Sequence, residues 1–132
     1  MKAYVLDSSA LMTFFEDRPG AGKVEELLAQ GAERACRCLM SVVNWGEVYY
    51  SVWRTRGEKA ANEKLREIAQ LPIEIVDADG ELTRLAATLK ARHNLPYADC
   101  FAGALAQARK AALVTSDKDF ERVASLLKIQ WV

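Results

Sequence analysis

The chain has 132 residues, 51% of them apolar and 27% charged, as expected for one domain spanning residues 1–132 around a single sizeable core. Its 18 basic residues balance 18 acidic ones, which disfavours a tight non-specific grip on phosphate backbones unless the acids gather under metal ions and leave the cations to dominate elsewhere. No apolar run nears the ~18 residues of a membrane span, MKAYVLDSSALM meets an aspartate after six residues, unlike a secretory leader, and three cysteines make no disulfide framework; a soluble, cytoplasmic protein is expected.

In chain order, the first strand is expected over residues 4–6, running into Asp7, Ser8 and Ser9. Helical patterns follow over 10–16 and 23–30, then a strand over 37–40. Cys36 and Cys38 could share one face of that strand as buried thiols. As half of a zinc site they lack partners, because the chain has one histidine, His93. Helices are expected over 42–55 and 58–70, and a strand over 73–76. Asp77 reads as a turn or cap residue. A helix over 81–93 ends at His93, a polar residue suited to a helix C-terminus. A helix over 96–110, a strand over 113–115, a helix over 120–127 and a strand over 129–132 complete the order. Gly20, Gly22, Gly31, Gly57 and Gly80 stand at the breaks. Short apolar strands alternating with helices predict an α/β fold with a parallel sheet covered on both faces.

In such sheets ligands bind beyond the carboxyl ends of the strands, where Asp7 and Asp117 are both expected. Each could equally be a helix N-cap, and Asp119 before FERVASLL reads as one. Asp99 sits in a run, residues 98–106, without another charge; on a helix it neighbours Ala102, Gly103 and Ala106. A carboxylate on that small-residue face loses hydration and needs a cation or strong hydrogen bonds. The 42–55 helix carries an apolar arc of about 200°, about twice one core face. Glu47 and Asn44 lie on its narrow polar strip, where a solvated glutamate is the default. Tyr50 and Trp53 lie toward the outer side of the arc, which predicts either burial nearly all round or an interface with another chain.

In order and context, VLDSSALM, SVVNWGEV, LPYADCFAGALA and LVTSDKDF resemble the motifs of the PIN-domain ribonucleases, and most of all the VapC toxins of prokaryotic toxin–antitoxin pairs. The resemblance covers essentially the whole chain. It implies a three-layer α/β/α sandwich around a short parallel sheet, and an endoribonuclease dependent on Mg2+ or Mn2+. Matched motif by motif, Asp7, Glu47, Asp99 and Asp117 take the places of the four catalytic, metal-binding acids. Thr115 matches the hydroxyl before the last aspartate, Ser8 or Ser9 a hydroxyl near the first, and Asn44 is a further supporting residue. Carboxylates are hard ligands suited to such ions; Asp7 and Asp99 are the first expected ligands, with Asp117 and Glu47 direct or through water. The resemblance further implies an RNA substrate and an antitoxin that wraps the 42–55 helix, and Tyr50 or Trp53 is expected in an interface with it or in a homodimer.

Other classes fit less well. A receiver-type phosphoacceptor domain would need its acceptor after the middle strand, where only Asp77 is offered, and leaves Asp99 without a role. A haloacid-dehalogenase-like phosphatase needs a second aspartate where Ser9 stands. Within the resembled family, a housekeeping RNA-processing nuclease without an antitoxin is the alternative, and a small antitoxin gene just upstream would discriminate.

Overall fold

Along the first strand Tyr4 and Leu6 project to one side and Val5 to the other, and apolar residues on both sides demand cover on both sides. The computed structural model, which describes all 132 residues, provides it. The elements in order are β1 (Lys2–Leu6), α1 (Ser8–Phe15), α2 (Ala21–Ala32), β2 (Cys36–Ser41), α3 (Val42–Arg56), α4 (Glu58–Ala69), β3 (Ile73–Val76), α5 (Gly80–His93), α6 (Tyr97–Arg109) and β4 (Ala112–Thr115), then a 3₁₀-helix (Lys118–Val123) and β5 (Ile129–Trp131). The five strands form one parallel sheet in the order β3-β2-β1-β4-β5. Val5, Leu39 and Leu113 meet α5 and α6 on one face. Leu6 and Val114 meet α1 and α2 on the other, where Met40 packs with α3 and α4. This is the three-layer α/β/α sandwich expected. Leu39 and Leu113 are fully buried, and truncating either to Ala would cost about 2–5 kcal/mol.

The chain leaves β1 toward β2 and β3 on one side and returns to β4 and β5 on the other, so the order reverses between β1 and β4. Leu6 is level with Val114, so the residues just after β1 and those ending β4 face each other across that crevice. α6 lies close to α5: a Cβ on Gly103 would stand 3.3 Å from Leu89 Cδ1. Gly57 turns α3 into α4 with φ +93°, a conformation that L side chains rarely adopt. No helix is long and apolar enough to cross a membrane.

Two expectations need correction. Residues 120–127 are not an α-helix: a 3₁₀-helix ends at Val123 and turns follow. Phe120 and Val123, three apart, are buried, and Leu126 is exposed, so the apolar pattern has the period of a 3₁₀ turn and stops. Asp77 caps nothing; Asp79 caps α5, its Oδ1 accepting from Leu82 N at 2.8 Å.

Candidate active site

Asp7 follows β1 directly and is the N-cap of α1. Its Oδ1 accepts from Ala10 N at 2.9 Å and from Ser9 Oγ at 2.7 Å, and its Oδ2 from Thr115 Oγ1 at 2.5 Å. Capping and placement at the crevice are thus one arrangement, because a helix starting at the strand end needs its cap there. Asp7 is 1% exposed. Burial pushes its carboxyl up to about 6, against the lowering effect of those three hydrogen bonds and with a smaller push from Asp117.

Asp99 lies in the first turn of α6, with Ala102, Gly103 and Ala106 all buried beneath it. Only 6% of Asp99 is exposed, and its Oδ2 is buried without a hydrogen-bond partner. Burial is the first cause that lifts its carboxyl to about 8. The neighbouring Asp117 carboxylate comes next, then the charges of Asp7 and Glu47. An unsatisfied buried carboxylate oxygen costs about 1–3 kcal/mol or more, so such a group calls for a cation or a proton.

Asn44 and Glu47, on the polar strip of α3, face this pocket rather than open solvent. Asn44 is fully buried and Glu47 half-buried. Glu47 Oε1 accepts from Ser8 Oγ at 2.8 Å and from Asn44 Nδ2 at 3.1 Å. The same Asn44 amide donates to the carbonyl of Ala98, just before Asp99, at 3.1 Å. Asn44 therefore ties Glu47 to the start of α6. Both serines named from the sequence are used, Ser9 on Asp7 and Ser8 on Glu47.

After β4, Thr115 is fully buried; its Oγ1 donates to Asp7 and accepts from Asp117 N at 2.9 Å. Asp117 is the N-cap of the 3₁₀-helix, its Oδ1 accepting from Asp119 N at 2.9 Å. The cap assigned to Asp119 is therefore held by Asp117, because the helix begins two residues earlier. Asp119 instead joins the acids: oxygens of Asp99, Asp117 and Asp119 lie within 4.8 Å of one another. Its side chain is 47% exposed and pairs with Arg122 at 3.5 Å. Sequence reasoning missed it; the signal was the i, i+2 spacing in SDKD, which puts a second acid one tight turn after the first.

Six-coordinate Mg2+ holds oxygens at about 2.1 Å, hence about 3–4 Å from one another. One oxygen each of Asp99, Asp117 and Asp119 lies within 4.8 Å of the others, close enough to converge on one such ion, and Asp99 also carries an oxygen with no hydrogen-bond partner. All donors are hard, with no thiol or imidazole among them, so the residues fit a hard divalent ion. Asp7 and Glu47 flank this trio, near enough for their charges to act on Asp99. Cys36 and Cys38 are buried free thiols on β2, each 3.6 Å from the carbonyl of Leu27. His93 ends α5.

On the far side of α3, Val48 and Val52 are buried, Tyr49 reaches Asn62 at 3.1 Å, and Tyr50 and Trp53 are 50% and 43% exposed. The wide apolar arc thus serves α4 and the sheet on one part and leaves two aromatics at the surface.

A family model described as the PIN domain matches residues 4–126. No curated protein matches in sequence. Among solved structures, VapBC2 from Rickettsia felis, bound to a DNA fragment from its promoter, superposes with a TM-score of 0.75 at 20% identity, covering 98% of each chain. DNA-bound VapBC from Salmonella typhimurium gives 0.76 at 16% identity, covering 99% of this chain and 98% of that one. Mycobacterium tuberculosis VapC20, a toxin that cleaves the sarcin–ricin loop, gives 0.72 at 16% identity, covering 91% and 94%.

Proposed function

The chain belongs to the PIN-domain family, and from that membership we propose that it is a metal-dependent endoribonuclease, the toxin of a toxin–antitoxin pair. The observation that carries the reading is the buried Asp99, one of whose oxygens has no hydrogen-bond partner, clustered with the carboxylates of Asp117 and Asp119. A group so desolvated and so crowded by like charge is poorly made for stability and well made to hold a cation. The similarity of fold to VapC toxins, one of which cleaves RNA, supports the substrate class.

Asp99 and Asp117, with Asp119 beside them, would hold Mg2+ or Mn2+, and Asp7 and Glu47 would complete the set of acids around it. A divalent ion held there would supply polarisation of the scissile phosphate and a water of lowered pKa as nucleophile. Thr115 and Ser9 keep Asp7 in one rotamer, and Ser8 and Asn44 do the same for Glu47. The acids therefore converge without paying rotamer entropy at each turnover. The chain's only histidine, at the end of α5, leaves no histidine pair for acid–base cleavage.

The exposed pair Tyr50 and Trp53 is the contact for an antitoxin or for a second copy of the chain, in the cytoplasm where both are made. The purified protein freed of any partner should cut loop or single-stranded RNA with Mg2+ or Mn2+ and stop in EDTA. Full cleavage in chelator rejects the metal site. A double change, Tyr50→Ala with Trp53→Ala, that leaves both self-association and capture of the small protein encoded beside it unchanged rejects the interface.

A further inference from the structure

The opposite rim of the sheet gathers four cations around one hollow. Lys2 opens β1, Lys110 precedes β4 by two residues, and Lys128 directly precedes β5. With Arg109 at the end of α6 they line a cavity of about 490 Å³ whose walls contain no carboxylate. Tyr4, on the same side of β1 as Lys2, contributes an aromatic ring to it. None of the four cations forms an ion pair, although five such pairs exist elsewhere on the surface.

Ordinary roles account for part of this. Arg109 and Lys110 complement the C-terminal dipole of α6, and Arg109 also borders a neighbouring cleft with Asp77, Asp79 and Glu81. Lys128 can guard the edge strand β5 against strange partners. Neither role applies to Lys2, which opens a strand paired on both sides. Neither explains why all four converge on one hollow free of acids. We propose that this cavity binds a phosphate-bearing anion, the cations taking the phosphates and the Tyr4 ring offering an apolar wall to an attached base. A hollow of this size suits a small ligand. About 16 Å of extended strand, at ~3.3 Å per residue, separates Lys2 from the acid pocket after β1, so this site is distinct from the nuclease centre.

The same chemistry could come from a free nucleoside polyphosphate or from the 5′-phosphorylated end of an RNA. The test is calorimetric titration of the whole protein in EDTA, which removes metal-bridged binding at the carboxylates, at about 50 mM salt, where screening is modest. Inorganic tripolyphosphate should bind one to one with Kd below about 1 mM. Lys110→Gln with Lys128→Gln, and separately Lys2→Gln, should weaken it, the double change by about tenfold or more. Lys59→Gln, on the exposed face of α4, should not. GTP binding tighter than tripolyphosphate assigns the site to free nucleotide. A 5′-triphosphorylated oligoribonucleotide binding tighter than its 5′-hydroxyl form, with GTP no tighter than tripolyphosphate, assigns it to an RNA end. Absence of saturable tripolyphosphate binding, or equal affinity in wild type and the Lys110→Gln, Lys128→Gln protein, overturns the proposal.

Discussion

The two rims of one sheet are charged oppositely, and they treat their charges in opposite ways. At the carboxyl rim Asp7 and Asp99 are buried and, with Glu47 and Asp117, sit among hydroxyls, a backbone N–H at a helix start, or one another. At the amino rim Lys2, Lys110 and Lys128 stand exposed and unpaired around an open hollow. A net charge of zero therefore describes neither surface. The difference shows where a fold stores electrostatic stress: burial raises the cost of each carboxylate, and exposure keeps the lysines cheap. It also fixes what each rim can do. The stressed rim gains most from a divalent ion, and the relaxed rim can gain only from an anion.

The largest effect should be on cleavage. Asp99→Asn should lower it on the order of 10²–10³-fold, the scale of losing one preorganised electrostatic group. Near-wild-type cleavage by that variant would mean the stressed rim is not the reacting one.

Next in size is the response to metal. At a hundred times its dissociation constant, Mg2+ or Mn2+ should stabilise the wild type by about 2.7 kcal/mol, roughly 8 °C in Tm for a domain of this length. Asp99→Asn should melt higher than wild type in EDTA and gain less from metal. Lys110→Gln with Lys128→Gln should keep the whole gain. If Asp99→Asn is the less stable protein in EDTA, the carboxylate is a structural partner and the comparison of rims collapses.

A smaller effect is expected of pH. Asp7 and Asp99 have folded pKa values of about 6 and about 8, above the ordinary 3.8. The unfolded chain loses these protons first as pH rises, so the folded state binds more of them and stability falls with rising pH. In EDTA the metal-free protein should therefore be most stable near pH 4 and weaken through pH 8, by a few kcal/mol on the order of the proton linkage. Asp99→Asn should flatten the upper part of that slope. Denaturant melts at stepped pH would show it, and a rise in stability over the same range would contradict the buried-acid account.

The smallest effect separates Asp119 from its neighbours. Half exposed and paired with Arg122, it should change metal-free stability by less than about 0.5 kcal/mol when made Asn. It should still weaken metal affinity several-fold if its oxygen completes the set with Asp99 and Asp117. Titration of Mn2+ into the variant decides this, and unchanged affinity would return Asp119 to the surface.

Much of the scaffold was legible because burial on two faces writes itself into short apolar strands. The runs at residues 4–6, 37–40, 73–76 and 113–115 all lie within observed strands. Residues 120–127 read as a helix because Phe120, Val123 and Leu127 satisfy a helical period and all three reach the core, and only the backbone, which leaves the 3₁₀-helix for turns after Val123, shows otherwise. The caps of Asp77 and Asp119 were misplaced because any aspartate near a helix start looks like a cap. Those held by Asp79 and Asp117 depend on where the backbone turns. Glu47 was the least legible: in sequence it belongs to a solvated strip, and it joins the pocket because α3 packs against α1 and α6.

What the sequence determined by itself was the alternation of strands and helices, the two strand-end aspartates, and a carboxylate on a small-residue helix face. Each is a local matter of side-chain periodicity or of the residues within one turn. The tertiary structure alone decided that Asp7 is level with Thr115, that Asn44 bridges Glu47 to α6, that Asp119 joins Asp99, and that three lysines at or just before the starts of three strands meet around one hollow. Those are distances between segments far apart in the chain. They are set by strand order and register, which come from packing the whole core and not from any window of sequence.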